Sequence, residues 1–484
     1  MQPTNLLFIF SDQHTRRMSG CYGHPVVQTP NLDRLAERGT TFNNAYTNCP
    51  ICVPARASLA TGRYVHQIGH WDNGFPYDGH LPSWHHRLRE QGFQADSIGK
   101  LHFKGQGTDH GFSQEIEPLH VVEGVGDILG CIRQNPPRRQ KRVGILNAGP
   151  GDSTYLQYDQ RNADNTVRWL NQHTDDEQPW ALFASFVCPH PPYIAPPDLY
   201  QQYAGQDLPL PAQWQPDQWP DHPAIAAMRH FFHWEEPFTQ AELHQLTAAY
   251  YGVTTYLDRQ IGRVLDALAE LGLAETTRVI YSSDHGESLG ARGLFGKFTM
   301  YEEAAAVPFI MAGPDVPAGK TVNTPVSLVD CFPTIVEAVG AELTPADDDL
   351  PGQSLWALAQ DDDRQRAVLS EYHALGTENG YLMLRDAQHK LIYHVDGPPQ
   401  LFDLAADPDE TTDLAASPDH QPILTDLEKQ LRAIVDPEAA NAQAKADQQA
   451  KIASFGGEEA VRHRGAFDNS PVPGEKPAFR QHSV

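Results

Sequence analysis

At 484 residues the chain exceeds what one ordinary core organises, so one large α/β part and one smaller part are expected. Hydrophobic residues make up 40% and charged residues 20%, a globular balance, and no apolar run approaches the roughly 18 residues of a membrane span. The net charge of −26 argues against nucleic acid and anionic membrane as partners, and it requires any anion site to be built from local cations.

The chain opens without a basic segment, and its first apolar run, Leu6 to Phe10, is too short for a secretory signal core. A cytoplasmic location is therefore expected, or a periplasmic one if a leader has been removed. Residues 5 to 11 read as a strand buried on both faces, because they are apolar without alternation. The strand ends at Asp12-Gln13. Thr29 and Pro30 then start a helix over 31–38, with Gly39 past its end. Residues 54–61 form a second short helix, and 94–98 a strand leading to Gly99-Lys100.

Trp180 to Val187 is another apolar strand, running into Cys188-Pro189-His190. The Pro-, His- and Trp-rich stretch to about 238 reads as an irregular surface excursion. A long helix spans 240–271, with Leu243, Leu246, Tyr250, Val253 and Leu257 at helical spacing, a Thr239/Glu242 capping box and Gly272 at its end. A strand over 277–283 ends at Asp284-His285, and 326–339 is a further helix. Acidic runs at 347–349 and 361–363 flank a boundary. Beyond it, 367–371, 381–385 and 390–394 alternate like antiparallel strands, and 423–435 is an amphipathic helix. The expected division is 1–365, 366–436 and an extended tail, 437–484. The tail is too polar to bury much by itself, so it is expected to be mobile or to make an oligomer contact.

Strands ending in polar residues recur at Asp12-Gln13, His190 and Asp284-His285. In open α/β sheets such ends meet at the ligand crevice. Asp12, Gln13, Asp284 and His285 together make an oxygen-rich set suited to Ca²⁺, Mg²⁺ or Mn²⁺, the imidazole tilting it toward a transition metal. Cys49 and Cys52 have C-x-x-C spacing, but no second pair completes a zinc site.

Cys52-Val53-Pro54-Ala55-Arg56, followed by Thr61-Gly62-Arg63, resembles the signature of the sulfatase family, within the alkaline-phosphatase-like superfamily. Further segments match in order: Thr29 to Asp33, Gly99-Lys100-Leu101-His102, Pro189-His190-Pro191-Pro192, Ser283 to Gly286, Lys297, and Leu401 to Pro408. Asp12-Gln13, Asp284-His285 and Glu371-Tyr372-His373 are most similar to choline-sulfatase-like members. The resemblance implies a large mixed β-sheet sandwiched by helices, with a smaller C-terminal α+β domain carrying an antiparallel sheet.

It also implies that a formylglycine-generating maturation enzyme oxidises Cys52. The resulting geminal diol would attack a sulfate monoester, pass through a covalent sulfo-enzyme intermediate, and regenerate the aldehyde. The divalent metal, Ca²⁺ before Mn²⁺ or Mg²⁺, would be held by Asp12, Gln13, Asp284 and His285. Arg56 would hold the diol, Lys100 and Lys297 would meet the charge on the transferring group, His190 would protonate the leaving oxygen, and His102 would assist deprotonation. Arg63 reads as structural, packing under the nucleophile helix. Trp71, Phe75, Tyr77, Tyr193, Phe231, Phe232 and Trp234 are candidates for a substrate wall, with 230–236 as a lid of rings and carboxylates. The substrate is then a small anionic ester of a choline-like alcohol or a sugar. Two alternatives remain: a phosphonate monoester or phosphodiester hydrolase using the same nucleophile, and a binding protein that keeps the Cys52 thiol.

Overall fold

The computed structural model describes residues 2–105, 107–362 and 365–480. Met1, Asp363 and 481–484, which belong to the expected first part, an acidic run and the tail, lie outside the described residues. The centre is an eight-stranded sheet in the order Lys320–Val322, Gly39–Phe42, Phe309–Ala312, Thr277–Ser283, Asn5–Asp12, Trp180–Pro189, Gln94–Lys100, Gln114–Leu119. Only Phe309–Ala312 runs against its neighbours, so the sheet is mixed.

The unbroken apolar run of Asn5–Asp12 has a simple cause. Leu6, Phe8 and Phe10 pack with Phe183 and Val336 on one face, while Leu7 and Ile9 pack with Leu257 and Ile261 on the other. Helices cover both faces, so neither set of alternating side chains meets water. The strand lies between Thr277–Ser283 and Trp180–Pro189 and is parallel to both, which brings three polar strand ends to one edge.

The long helix is Gln240–Glu270, with the Thr239/Glu242 box formed and Gly272 in the left-handed region at φ 73°. Other boundaries moved for local reasons. The first helix is Pro30–Glu37, and Thr29 does not cap it. The Thr29 hydroxyl instead accepts from the Gly20 amide at 2.8 Å, and Gly39 already belongs to a strand. The second helix starts at Cys52, not 54. Within 326–339 only Cys331–Val339 is α-helical, because the Asp330 side chain accepts from the Ser327 amide at 2.8 Å and holds a tighter turn before it. The 195–238 stretch is more ordered than its composition suggests, with helices Pro197–Ala204 and Pro223–Phe231 each entered through proline.

A second sheet is an antiparallel meander of Val368–Tyr372, Tyr381–Arg385, His389–His394 and Gln400–Asp403. Leu382, Leu384 and Leu391 pack on Leu427 and Leu431 of helix Gln421–Ile434. Met383, Ile392 and Phe402 point the other way, into the large core. The tail departs most from expectation. It forms helices Pro437–Ser454 and Glu458–Arg464 and packs on its own chain, burying Ala444 and Val461.

One buried cation ties the meander to the helix Glu302–Ala305 that precedes strand Phe309–Ala312. Lys390 Nζ lies 2.7 Å from both Glu302 and Glu410 and donates to the Met300 carbonyl at 2.9 Å. Burial alone would lower the Lys390 ammonium, but Glu302 and then Glu410 hold it above its ordinary range. Lys390→Met should destabilise the fold by about 3–5 kcal/mol, because two buried carboxylates lose their shared cation. Denaturant unfolding checks this, and a loss under about 1 kcal/mol would contradict the account.

Candidate active site

Every residue singled out as catalytic or metal-ligating lies at the polar edge of the large sheet. Asp12 and Asp284 stand at the ends of adjacent parallel strands, Lys100 ends a third, and His190 follows a fourth. Cys52 opens a helix that points its first turn at this edge. Local backbone geometry aims several of these groups. Gln13 and His102 have φ of 69° and 57°, uncommon for residues with a Cβ. Gly99 has φ 94°, and a Cβ there would sit 2.1 Å from the Ser185 carbonyl. Only glycine allows that close approach, and the pairing register shifts there, just before Lys100.

The two carboxylates divide their oxygens. Asp12 Oδ2 bonds to Lys100, and Asp284 Oδ2 accepts from Arg56 Nε at 2.8 Å. Their Oδ1 atoms turn toward His285 Nε2, at 3.6 Å from Asp12 and 3.4 Å from Asp284. His285 Nδ1 faces the Gly286 carbonyl at 3.1 Å, so Nδ1 carries the hydrogen and Nε2 presents a lone pair. Burial pushes His285 down to about 4, so the ring is neutral. Lone pairs from two carboxylates and an imidazole thus converge. The ligand atoms of Asp12, Cys52, Asp284 and His285 all lie within 4.8 Å of one another. Such a set is repulsive by itself and fits a cation at its centre.

Gln13 is oriented to join it. Its amide nitrogen donates to Glu287 and, at 3.1 Å, to the Tyr193 hydroxyl, and its Oε1 accepts from Lys297 Nζ at 2.9 Å. Glu287 and Tyr193 fix which end of the amide faces the site. The Gln13 backbone amide also donates to Asp284 Oδ1 at 3.1 Å.

Cys52 Sγ lies 3.0 Å from Lys297 Nζ, 3.2 Å from His285 Nε2 and 3.8 Å from Asp12 Oδ1. Burial and then Asp12 push its thiol up to about 11, despite Lys297 and Lys100 nearby. Burial would raise Asp12, but Lys100, His190, Lys297 and His285 hold it well below the carboxylate range. Arg56 also donates to the Lys100 carbonyl at 2.8 Å and Ser185 Oγ at 3.0 Å, while its Nη2 is buried with no hydrogen-bond partner. Arg56, Lys100 and Lys297 are all buried here, which gathers positive charge at one edge of an acidic chain.

A cavity of about 290 Å³ opens over Cys52, with His102, His190 and Lys297 in its wall. Burial lowers His190 well below its ordinary range, with Lys297 adding to the effect; its Nδ1 meets the Pro191 carbonyl at 2.7 Å. Burial, with Lys100 second, does the same to His102, whose Nε2 bonds to Ser470 Oγ at 3.0 Å. Of the expected aromatic wall, Tyr193, Phe232 and Trp234 line the cavity, whereas Trp71, Phe75, Tyr77 and Phe231 pack elsewhere. The expected ring-and-carboxylate lid is not formed, because Glu235 pairs outward with Arg138 and His230. Arg63 does not pack under the nucleophile helix either. It forms a two-pronged pair with Asp349 at 2.8 and 2.6 Å.

Sequence reasoning missed Glu287, which holds the Gln13 amide and stands three residues after Asp284, and several wall residues. Arg139, Lys141 and the tail residues 467–470 carry no local signal.

The sulfatase family model matches residues 4–341, and the model for the C-terminal part of N-sulphoglucosamine sulphohydrolase matches 290–436. Arylsulfatase K of Rattus norvegicus is 30% identical over 468 residues, covering 90% of this chain and 78% of its own. Choline-sulfatase of Rhizobium meliloti is 30% identical over 422 residues, covering 84% and 81%. Among solved structures, a protein in complex with its substrate D-glucosamine-2-N,6-O-disulfate superposes with a TM-score of 0.74 at 21% identity, covering 92% of this chain and 99% of its own. The phosphonate monoester hydrolase of Agrobacterium radiobacter gives 0.71 at 24%, covering 91% and 96%. These two share the fold. With a family model spanning most of the chain, and its signature cysteine set among the converging strand ends, the chain belongs to the sulfatase family.

Proposed function

We propose that this sulfuric ester hydrolase cleaves a small sulfate monoester using residue 52 after conversion of Cys52 to formylglycine. The observation that carries the reading is the setting of the Cys52 sulfur, 3.0 Å from Lys297 and 3.2 Å from His285, in a pocket that keeps its thiol protonated. A thiol pushed up to about 11 is a poor nucleophile at neutral pH, although the position is ideal for one. Formylglycine, as its hydrate, supplies one hydroxyl to attack sulfur and a second whose ionisation releases the sulfate. A divalent cation would be held by Asp12, Gln13, Asp284 and His285, and its charge would favour ionisation of a hydroxyl at residue 52. Three oxygen donors and one imidazole favour Ca²⁺ in our reading.

The remaining roles belong to the chain. Lys100, Lys297 and Arg56 are held by buried partners, so they meet transition-state charge without reorganising. His190 is neutral beside Lys297, but an anionic ester at residue 52 opposes that cation and raises the proton affinity of the ring. It then serves as acid to the leaving alcohol. His102, also neutral and tied to Ser470, is placed to accept a proton.

The alcohol is read from the cavity wall. Phe232 stacks on Trp234 at 4.5 Å and on Phe298 at 4.7 Å, while Arg139, Lys141 and Arg480 bring positive charge. The carboxylates of that wall, Asp127 and Asp468, are paired with those cations. Three cations against two carboxylates leave that wall net positive, which disfavours a quaternary ammonium group. A sulfated sugar gains a ring stack and cations for its other anionic groups, as the glucosamine disulfate of the structural relative would.

Three outcomes are expected. Cys52→Ala should remove turnover of 4-nitrophenyl sulfate while circular dichroism stays unchanged; retention of most activity would end the assignment. Asp284→Ala should lose bound metal and turnover together, and full activity with the metal stripped would contradict the ligand set. In protein made without the maturation enzyme, iodoacetamide should modify Cys52 far more slowly than a free thiol at pH 7, with the rate rising toward pH 11. Rapid labelling at neutral pH would show an ionised thiol instead. A screen of glucosamine sulfates, choline sulfate and phenylphosphonate monoesters with matured enzyme decides the substrate class. Dominant phosphonate turnover would overturn the sulfate reading, and dominant choline sulfate turnover the sugar reading.

A further inference from the structure

A second set of metal-ligating side chains lies outside the catalytic cluster, around the edge strand Gln114–Leu119. His110, Glu115 and His120 each offer a ligand atom, and these atoms lie within 4.8 Å of one another. His110 Nδ1 is 2.8 Å from Glu115 Oε1, His120 Nε2 is 3.4 Å from Glu115 Oε2, and the two imidazole centroids are 5.3 Å apart. One carboxylate therefore turns an oxygen to each ring.

Two further observations suggest that this is more than an ion-paired surface patch. His120 Nδ1 and His110 Nε2, the nitrogens not paired with Glu115, are buried without a hydrogen-bond partner, and His110 is only 2% exposed. Buried ring nitrogens are rarely left without a partner. The backbone also departs from a regular strand to bring the groups together. Residues 115 and 120 differ by an odd number, so strict alternation would point them to opposite faces. Glu117, at φ 46°, and the register slip between Ile98 and Lys100 break that alternation.

We propose that His110, Glu115 and His120 form a second metal site, for Zn²⁺. Two imidazoles and a carboxylate are a zinc donor set. The site would brace the catalytic edge from behind. The Leu119 carbonyl accepts from the amides of Leu101 at 3.1 Å and His102 at 2.8 Å, and Val121 donates to the Phe103 carbonyl at 3.0 Å. A metal joining 110, 115 and 120 would thus stiffen the strand that holds the segment after Lys100.

The test is zinc content by elemental analysis of folded protein, stripped with chelator, re-equilibrated with Zn²⁺ alone and freed of excess. Asp284→Asn, which removes a catalytic ligand, should still hold one equivalent, and adding His120→Gln should remove it. In the parent protein, His120→Gln and, separately, Glu115→Gln should each lower the content by one equivalent and reduce the zinc-induced rise in Tm. Turnover should persist in both, which would show that they fold. Zinc content unchanged in both variants, or absent from Asp284→Asn, would overturn the proposal.

Discussion

The site depends on how two buried carboxylates share their oxygens. Asp12 and Asp284 each commit one oxygen to a buried cation, Lys100 or Arg56, and turn the other toward His285 Nε2. Neither carboxylate could be buried unpaired, because the desolvation of an isolated charge is too costly. Lys100 and Arg56 make that burial tolerable.

This arrangement requires the rigid sheet beneath it. Adjacent parallel strands deliver Asp12 and Asp284 at fixed spacing, and the neighbouring strands deliver Lys100 and His190. Gly99 allows the backbone approach that sets Lys100. The next layer is equally specific. Glu287 and Tyr193 hold the Gln13 amide so that its oxygen, not its nitrogen, faces Lys297. Ser185 and the Lys100 carbonyl hold Arg56. Sub-ångström placement of reacting groups comes from such locked neighbours.

The C-terminal third completes the pocket rather than merely appending to it. The meander sheet is joined to the core through Lys390 and the carboxylates of Glu302 and Glu410. The tail returns across the molecule, Ser470 bonding to His102 and receiving the Tyr155 hydroxyl on its carbonyl. A cavity built partly from residues 467–470 and Arg480 joins chemistry encoded near the start of the chain to a wall encoded at its end.

Local physics made much of this legible from the amino-acid order. The continuous apolar run before Asp12 required a strand covered on both faces, the Thr239/Glu242 box marked a helix start, and polar strand ends at Asp12, His190 and Asp284 pointed to one crevice. The Cys52 signature then pointed to the family. Each of these signals lies within a few residues, where backbone sterics and hydrogen-bond periodicity act. The tail, by contrast, looked unable to bury itself, and its docking onto His102 spans 368 positions. The choice among Trp71, Phe75, Tyr77 and Phe231, which pack elsewhere, and Phe232 and Trp234, which line the cavity, was equally hidden. Composition fixes that a ring will be buried, but only the assembled packing of distant segments decides against what, because dispersion and desolvation act between whichever surfaces the fold brings together.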